Sequence, residues 1–240
     1  ESGREAFRAL VKDADVIVEN LGPRALDSSG IGYRELRLLN PGLVMTSISN
    51  FGAEGPYQDY QAEDITIFAL SGLMYHSGEA ERAPLHANLL QAHYIGGLNG
   101  TIGTLAALVN RMFTNQGDHV DVSLAECLSC NLVQAVPTYA YTGAIRGRRP
   151  STGASLEEIM PCKDGFVVPS AQGSQPFEVV AKVLGEQKLL DPKFATNQGR
   201  RINGAEMDSL IAQGLNSKER VPLFHDAAQQ RLVFGMVQDM

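Results

Sequence analysis

Residues 15–50, DVIVENLGPRALDSSGIGYRELRLLNPGLVMTSISN, contain the pattern that decides the fold. The β-branched run DVIVEN predicts a short buried strand, and YRELRLL predicts a short helix that the following Asn-Pro-Gly ends. The run LVMTSISN then predicts a second buried strand. A strand, a helix and a strand at this spacing form a βαβ unit, so both strands belong to a parallel sheet covered by helices. The predicted fold class is therefore α/β.

The segments after the two strands are where a ligand is expected, because parallel sheets bind ligands beyond the carboxyl ends of their strands. These segments read ENLGPR and SNFGAEGPY. Neither contains the G-x-G-x-x-G pattern of dinucleotide-binding turns or a Walker phosphate loop. The sequence therefore has no dinucleotide or ATP fingerprint.

The composition narrows the range of partners. The formal net charge of -7 over 240 residues argues against nucleic acid or an anionic membrane surface as the main partner. No apolar run is long enough to span a bilayer.

The three cysteines, an odd number, favour a reducing compartment, and we expect a cytoplasmic protein. Cys127 and Cys130 form a C-x-x-C on an apolar helical pattern, which favours helix packing over metal binding.

Two further helices are predicted near titratable residues of the first half. EDITIFALSGLM, residues 63–74, predicts a helix that begins with Glu63 and Asp64, where acidic side chains suit the helix dipole. LLQAHYIGGLNG carries His93 just before a long apolar helix predicted for residues 96–111. TNQGDHVDVSLAE then predicts a turn, an edge strand and a new helix.

A change of pattern near residue 151 indicates a second domain. IMPCKDGFVVPSA predicts a hairpin with its turn at Lys163-Asp164-Gly165, and QPFEVVAKVLG and GAEMDSLIAQGL predict amphipathic helices. We expect a large α/β domain in residues 1–124, a linker in 125–150 and a small α+β domain in 151–240. The chain lacks an initiator Met and stops in apolar sequence, so we expect it to be cut from a longer protein at both ends.

The order of these motifs resembles the CaiB/BaiF family, the class III CoA transferases. ADVIVENLGPRALDSSGIGYRELRLLNPGLVMTSISNFGAEGPY is similar to the family's patterns ADV-x-[VI]-EN-[FY]-x-PG, LNP-x-[LI] and S-[IV]-[ST]-G-[FY]-G. The run from EDITIFALSGLM through AHYIGGLNGTIGTLAALVNRMFTNQGDHVDVSLAE is similar to ADY-x-x-G, LAAL-x-x-R-x-x-TG-x-G and VDVSL-x-[ED]. DGFVVPSA matches the hairpin that opens the family's small domain. The resemblance thus covers nearly the whole chain in order.

The resemblance implies a Rossmann-like parallel sheet in a large CoA-binding domain, a smaller α+β domain and an interlocked dimer. It implies coenzyme A and acyl-CoA as substrates, a carboxylic acid as acceptor and no metal. In the family's reaction an aspartate attacks the acyl-CoA thioester and forms a mixed anhydride. The released CoA thiolate attacks the aspartyl carbonyl, and the acceptor acid then takes the CoA.

His93 stands at the position of that aspartate. Counting back from LAAL, residues 105–108, places His93 at the D of ADY-x-x-G, with Tyr94 and Gly97 in place around it. Three interpretations stay open: a substitute nucleophile that is acylated, a general base or ligand contact, and a polar residue at a lapsed site.

Other positions carry the family's substrate-binding pattern only in part. Asn20 and Leu21 occupy positions that line the family's CoA groove. Ser28 stands where the family often has an arginine that reaches the nucleotide phosphates. Arg24 replaces a glycine in GPR, and we expect it to supply a substitute charge.

A second branch of the family suggests a different use of the site. Glu63 and Asp64 stand where the racemase branch has a His-Asp pair. A Glu63/His93 acid–base pair, with one group on each side of an acyl α-carbon, is therefore conceivable.

The sequence predicts a CoA transferase that moves CoA between carboxylic acids through acyl-CoA thioesters, as a homodimer or as a heterodimer with a homologous subunit. The alternatives are a non-catalytic subunit that pairs with an active CoA transferase chain, and an enzyme like alpha-methylacyl-CoA racemase.

Overall fold

The computed structural model describes residues 2–145, 147–148, 158–170 and 177–239, without the side chains of Ser170 and Arg201. The chain divides into two compact units, Glu1–Arg148 and Arg149–Met240. The domain boundary predicted at residue 151 and most of the loop predicted around it lie outside the described residues.

The first unit contains a parallel sheet of three described strands, which confirms the α/β prediction. The strands are β1 (Val16–Glu19), β2 (Val44–Ser49) and β3 (His119–Ser123), in the order β1-β2-β3. Val16 of β1 pairs with Val44 of β2, and Met45 of β2 pairs with His119 of β3. The βαβ unit read from residues 15–50 is therefore present, and the carboxyl ends of all three strands meet at one edge of the sheet.

Helices cover this sheet and surround its carboxyl edge. In chain order they are α1 (Ser2–Val11), α2 (Ala25–Ser28), α3 (Tyr33–Leu39), α4 (Asp64–Leu70), α5 (Leu73–His76), α6 (Gln91–Thr114), α7 (Leu124–Ser129) and α8 (Ala135–Thr142). The predicted helices at 63–74 and after VDVS are confirmed, although the first is divided into α4 and α5.

Helix α6 begins earlier than the sequence suggested. It starts at Gln91 rather than at residue 96, so His93 lies in its first turn and not in front of it. The Gly96-Gly97 pair looked like a helix start because glycine lowers helix propensity. The helix continues through Gly96 because this residue packs closely: an added Cβ would lie 2.1 Å from Cδ2 of Leu124.

The buried side chains of the first unit form two clusters. One cluster joins α1, α3 and β2 through Val11, Leu36, Leu43 and Met45. The other joins α4, α6 and α7 and contains Ile67, Phe68, Ala92, Leu124 and Leu128. The second cluster fixes the starts of α4 and α6 side by side, and these two starts carry the titratable residues of interest.

The second unit has an antiparallel sheet. It contains β4 (Met160–Cys162), β5 (Gly165–Ser170) and β6 (Val233–Met236), with β5 paired to both neighbours. The predicted hairpin is confirmed, with Lys163 and Asp164 in the turn and Gly165 as the first residue of β5. Strand β6 was not predicted from the sequence.

The helices of the second unit pack on one hydrophobic core. They are α9 (Phe177–Leu184), α10 (Asn197–Ile202), α11 (Gly204–Asn216) and α12 (Arg220–Gln229), with two 3₁₀ segments at Gln187–Leu190 and Pro192–Phe194. Phe194, Ile211 and Leu215 are fully buried in this core. The α+β character predicted for this part of the chain is present. In the part of the chain that the structure describes, no helix has the length and apolar character needed to cross a membrane.

Candidate functional site

A cleft of about 570 Å³ opens at the carboxyl edge of the parallel sheet, where a ligand was expected. This volume lies within the range of about 300–1,000 Å³ that small-molecule sites usually have. The described residues that line it come from the turn after β1 (20–23), the end of β2 (48–50), the loop segment 58–61, the first turns of α6 (His93 and Gly97) and the start of α7 (Leu124).

The turn after β1 forms one wall of the cleft. Asn20 and Leu21, predicted to line a CoA groove, both lie in this wall. The backbone N–H of Leu21 donates to the Glu19 carboxylate at 2.8 Å, and Gly22 turns the chain with a φ of 96°. A positive φ of this size favours glycine, because a side chain would strain the backbone there.

The end of β2 places a residue with a buried polar atom in the wall of the same cleft. The hydroxyl oxygen of Ser49 is buried and has no hydrogen-bond partner among the described residues. Buried polar groups are nearly always paired in native proteins. The residue that carries this unpaired hydroxyl is one of those that line the cleft.

His93 reaches the cleft from the first turn of α6. Its side chain is half exposed, and its Nδ1 lies 3.2 Å from Oδ1 of Asp64. A carboxylate that accepts the proton of Nδ1 fixes the ring orientation and leaves the lone pair on Nε2. His93 thereby acquires the arrangement of a histidine that can take a proton or attack an electrophile.

Asp64 is the buried centre of this contact, with only 6% of its side chain exposed. Its Oδ1 also accepts the backbone N–H of Ala92 at 2.9 Å, and its Oδ2 lies 3.0 Å from Nε2 of His86. Burial raises the pKa of the Asp64 carboxyl, but the hydrogen bonds from His93, His86 and Ala92 outweigh it and hold the pKa below its usual value. The carboxyl is therefore ionised at neutral pH.

Sequence reasoning did not identify His86 as part of the site. Its imidazole packs edge-on against the Phe68 ring, with ring centroids 5.1 Å apart, while Nε2 points to Asp64. His86 lies in an irregular segment before α6, so no periodicity indicates which way its side chain points. The only signal in the sequence is a second histidine seven residues before His93.

The entry to α6 contains a strained residue. Leu89 adopts a φ of 64°. This left-handed conformation is energetically unfavourable for a residue with a branched side chain. Neighbouring contacts hold the turn: Asn88 accepts the Leu89 N–H through its side chain at 2.9 Å, and the Gln91 side chain donates to the Asn88 carbonyl at 2.7 Å. This strained turn brings the N–H of Ala92 and the ring of His93 within hydrogen-bonding distance of the Asp64 carboxylate.

Glu63 and Asp64 are neighbours in sequence but occupy different environments. Glu63 is the exposed N-cap residue of α4, without a side-chain capping bond, and it is not among the described residues that line the cleft. The structure brings His93 together with Asp64 and not with Glu63. The helix dipole is therefore not the whole explanation for Asp64. Its carboxylate accepts hydrogen bonds from residues 22 to 29 positions away along the chain.

Arg24 lies beside the cleft, and its charge is already paired. It adopts a φ of 61° after the turn, and its guanidinium donates to the carboxylate of Asp59, which lines the cleft. This hydrogen bond raises the pKa of Arg24. Both side chains are more than half exposed, so a phosphate would compete with Asp59 for Arg24 in open solvent.

The titratable groups of the described residues do not converge on a metal site. No group of three or more His, Cys, Asp or Glu side chains in those residues is placed to hold a metal ion. His86 and His93 approach different oxygens of Asp64 rather than a common point. The arrangement is suited to orienting an imidazole.

The fold and the site define a class of α/β protein with a cleft at the carboxyl ends of its parallel strands and a histidine in that cleft held by a buried carboxylate. The family model described as CoA-transferase family III matches residues 1–240. The chain therefore belongs to CoA-transferase family III, a family of enzymes, and the resemblance read from its motifs is confirmed.

Individual relatives agree with this assignment. The chain is 33% identical over 215 residues to succinyl-CoA–D-citramalate CoA-transferase of Chloroflexus aurantiacus, an alignment that covers 88% of this chain and 53% of that protein. It is 30% identical over 218 residues to the succinyl-CoA–L-malate CoA-transferase alpha subunit of the same species, covering 88% and 50%. The chain thus spans about half the length of the relatives it matches.

A solved structure shares the architecture. A crystal structure of a CaiB/BaiF family protein from Brucella suis superposes with a TM-score of 0.86 at 29% sequence identity. The superposition covers 100% of this chain and 64% of that chain. The parallel sheet of the first unit and the antiparallel sheet of the second, each with its own helices, are therefore the folds found in the CaiB/BaiF family.

Proposed function

We propose that the protein moves CoA between carboxylic acids through acyl-CoA thioesters, and that the reaction takes place in the cleft at the carboxyl edge of the parallel sheet. One observation carries this proposal: the half-exposed imidazole of His93, anchored by the buried Asp64, lies in the same cleft as Asn20 and Leu21. These are the positions that the family resemblance assigns to the nucleophile and to the CoA groove.

His93 supplies a nucleophilic nitrogen in place of the family's carboxylate. Its Nε2 attacks the thioester carbonyl, the C–S bond breaks, and CoA leaves as the thiolate while the imidazole carries the acyl group. The acceptor carboxylate then attacks the acyl-imidazole and forms a mixed anhydride, which releases the imidazole. The CoA thiolate finally attacks the acceptor's acyl carbon, and the donor acid leaves.

Asp64 makes this route feasible. Acylation of Nε2 while Nδ1 keeps its proton leaves a positive charge on the ring. The ionised Asp64 lies 3.2 Å from Nδ1 and is buried, so its attraction for this charge is stronger than it would be in water. The anchored carboxylate thus stabilises the acylated state of His93.

A second candidate function is that of a subunit that pairs with a homologous chain. The name of the matched alpha subunit from Chloroflexus aurantiacus favours this candidate. In that case the partner chain supplies the catalytic carboxylate, and this chain supplies CoA-binding surface. The dimer, whether of two identical or two homologous chains, is part of the proposal.

We also infer a reducing compartment, the cytoplasm. Cys127, Cys130 and Cys162 are free thiols in the described structure. Proteins that keep their cysteines unpaired are typical of compartments in which glutathione keeps thiols reduced.

The test compares the full-length protein alone with the protein co-expressed with a homologous partner. CoA exchange between succinyl-CoA and a panel of carboxylic acids is measured, and the acyl-enzyme is trapped with hydroxylamine. We expect activity from the chain alone and its loss in His93→Ala, while His76→Ala, a histidine outside the cleft, keeps it. Activity that needs the partner and is indifferent to His93→Ala would instead establish the subunit function.

A second variant tests the position of His93 in the family pattern. His93→Asp restores the family's nucleophile at this position. We expect this variant to accumulate an aspartyl-CoA thioester when it is incubated with succinyl-CoA, which mass spectrometry of the intact protein detects. A variant that is folded, binds CoA and forms no such adduct would contradict the assignment of the position.

A further inference from the structure

The carboxylate of Asp64 lies between two imidazoles, and this arrangement resembles a catalytic triad more than a nucleophilic carboxylate. His86 reaches Oδ2 at 3.0 Å, and His93 reaches Oδ1 at 3.2 Å. The backbone N–H of Ala92 occupies Oδ1 as well, at 2.9 Å. Asp64 itself is 6% exposed and so does not present its oxygens to the cleft, whereas His93 does present its ring.

The hydrogen bonds decide which nitrogen of His93 carries a proton. An ionised carboxylate at Nδ1 requires a proton on that nitrogen, so the neutral ring has its lone pair on Nε2. A ring held in this tautomer next to an electrophile is a general base for water. Because the His93 side chain is 50% exposed, water reaches it in the free cleft.

We propose that this site also hydrolyses acyl-CoA thioesters, with His93 as the general base for water and with Asp64 and His86 as positioning residues. The proposal rests on the proposed function in one respect, namely that an acyl-CoA thioester binds in this cleft. It differs in the reaction, because water and not a carboxylic acid accepts the acyl group.

The step balances with water as the second substrate. Nε2 of His93 takes one proton from water while the water oxygen attacks the thioester carbonyl carbon. The tetrahedral intermediate collapses, the C–S bond breaks, and the imidazolium returns the proton to the CoA sulfur. The products are free CoA and the carboxylic acid, and His93 is again neutral.

His86 acts on this reaction through Asp64. Its contact with Oδ2 fixes the rotation of the carboxylate, so that Oδ1 keeps its hydrogen bonds to the N–H of Ala92 and to Nδ1 of His93. The packing of the His86 ring edge-on against Phe68 holds His86 in place. When this contact is removed, the carboxylate is free to rotate, and the orientation of His93 is no longer fixed.

The experiment uses the full-length protein and succinyl-CoA in a buffer without any carboxylic acid acceptor. Release of the CoA thiol is followed with a thiol-reactive dye, and the reaction is repeated in ¹⁸O-labelled water. We expect steady release of CoA and one labelled oxygen in the product acid. We expect His93→Ala to lower kcat by about 100-fold or more, with partial rescue by added imidazole. His76→Ala is the matched control and keeps the rate.

The positioning role of His86 has its own readout. We expect His86→Leu to lower kcat about 10-fold at unchanged KM, and His86→Gln, which keeps an N–H donor, to recover most of the loss. Equal losses in the two variants, or a loss that appears in KM alone, would overturn the positioning role. Circular dichroism and urea unfolding confirm that the variants are folded.

Binding measurements separate this proposal from the proposed function. Succinyl-CoA binding to the wild-type protein is measured by calorimetry alongside both assays. Binding with CoA exchange but without hydrolysis would overturn the hydrolysis proposal and leave the transferase proposal intact. Hydrolysis that His93→Ala abolishes, without exchange to any acid, would support hydrolysis and remove the transferase proposal. Absence of binding, or hydrolysis that persists in His93→Ala, would overturn the assignment of hydrolysis to this site.

Discussion

An acidic residue contacts a basic side chain at each end of the cleft, behind the lining at the α6 end and within it at the other, and the two environments differ. At the α6 end, Asp64 is 6% exposed and accepts hydrogen bonds from two imidazoles and one backbone N–H. At the other end, Asp59 and Arg24 pair with 64% and 57% of their side chains exposed. The first contact is buried and fixed by three donors, whereas the second lies between two exposed side chains that water surrounds.

Burial is the physical reason for this difference. An exposed ion pair contributes about 0–1 kcal/mol, because water screens the charges and both side chains lose rotamer freedom. A buried carboxylate is held by its donors. Its removal leaves the buried ones, here the Ala92 N–H, without an acceptor, and a loss of this kind costs about 3 kcal/mol. Substitutions at the two ends should therefore lower the free energy of unfolding by very different amounts.

The largest effect is expected for Asp64→Ala. We expect a loss of about 3 kcal/mol in the free energy of unfolding, because Ala92 N–H and both imidazoles lose their acceptor. Urea unfolding at pH 7 measures this loss. Asp59→Ala is the matched control, with an expected loss below about 1 kcal/mol. Similar losses at the two positions would show that burial does not distinguish the two ends.

The next expected effect is a pH dependence that belongs to Asp64. Its pKa is lowered in the folded state, so the stability it contributes is present above the unfolded value, near the ordinary 3.8, and is lost as pH falls through the lower folded pKa. The difference in unfolding free energy between the wild-type protein and Asp64→Asn should therefore persist from pH 7 to pH 5 and narrow only below pH 3.8. Urea titrations over this range measure it. A difference that shrank between pH 7 and pH 5 would contradict an ionised, strongly held Asp64.

The elements of the fold that follow hydrophobic periodicity were predictable from sequence. The predicted segments correspond to β1 (DVIVEN), α3 (YRELRLL) and β2 (LVMTSISN). Their apolar residues are spaced so that a strand, a helix and a strand bury them, and this spacing is visible in the sequence. The start of α6 was not predictable in this way. Its first turn depends on a tertiary contact, the hydrogen bond from Ala92 N–H to Asp64, and on close packing at Gly96.

The residues of the candidate site were predictable only where they lie within the family's sequence motifs. His93, Asn20 and Leu21 were named from the family resemblance, and all three line the cleft. His86 was missed because it contacts Asp64 from an irregular segment, 22 residues away along the chain. Strand β6 was missed for a related reason, since its pairing partner β5 lies more than 60 residues earlier. Long-range contacts of this kind leave no periodic signal.

A smaller effect is expected at the entry to α6, which belongs to the buried end. Leu89→Gly should raise the free energy of unfolding by about 1 kcal/mol, because glycine adopts a φ of 64° without strain and Leu89 is largely exposed. Leu90→Gly is the matched control: Leu90 has a φ of -88° and similar exposure, so glycine there should only destabilise. Thermal or urea unfolding distinguishes the two. Destabilisation by both substitutions would mean that the Leu89 conformation is not strained.

The smallest effect on stability, and the one most specific to function, is expected at the exposed end. Asp59→Asn should change the free energy of unfolding by less than about 0.5 kcal/mol, since the pair with Arg24 is exposed. It should nevertheless strengthen CoA binding about 3-fold, because it removes a negative charge from the cleft and frees Arg24 for a phosphate. Calorimetry with CoA at low salt measures this gain, which about 0.5 M salt should abolish by screening. In an Arg24→Ala background Asp59→Asn should give a smaller gain, because only the removed repulsion remains. An equal gain in both backgrounds would show that Arg24 does not meet the CoA phosphates, and the exposed end would then act on CoA through Asp59 alone.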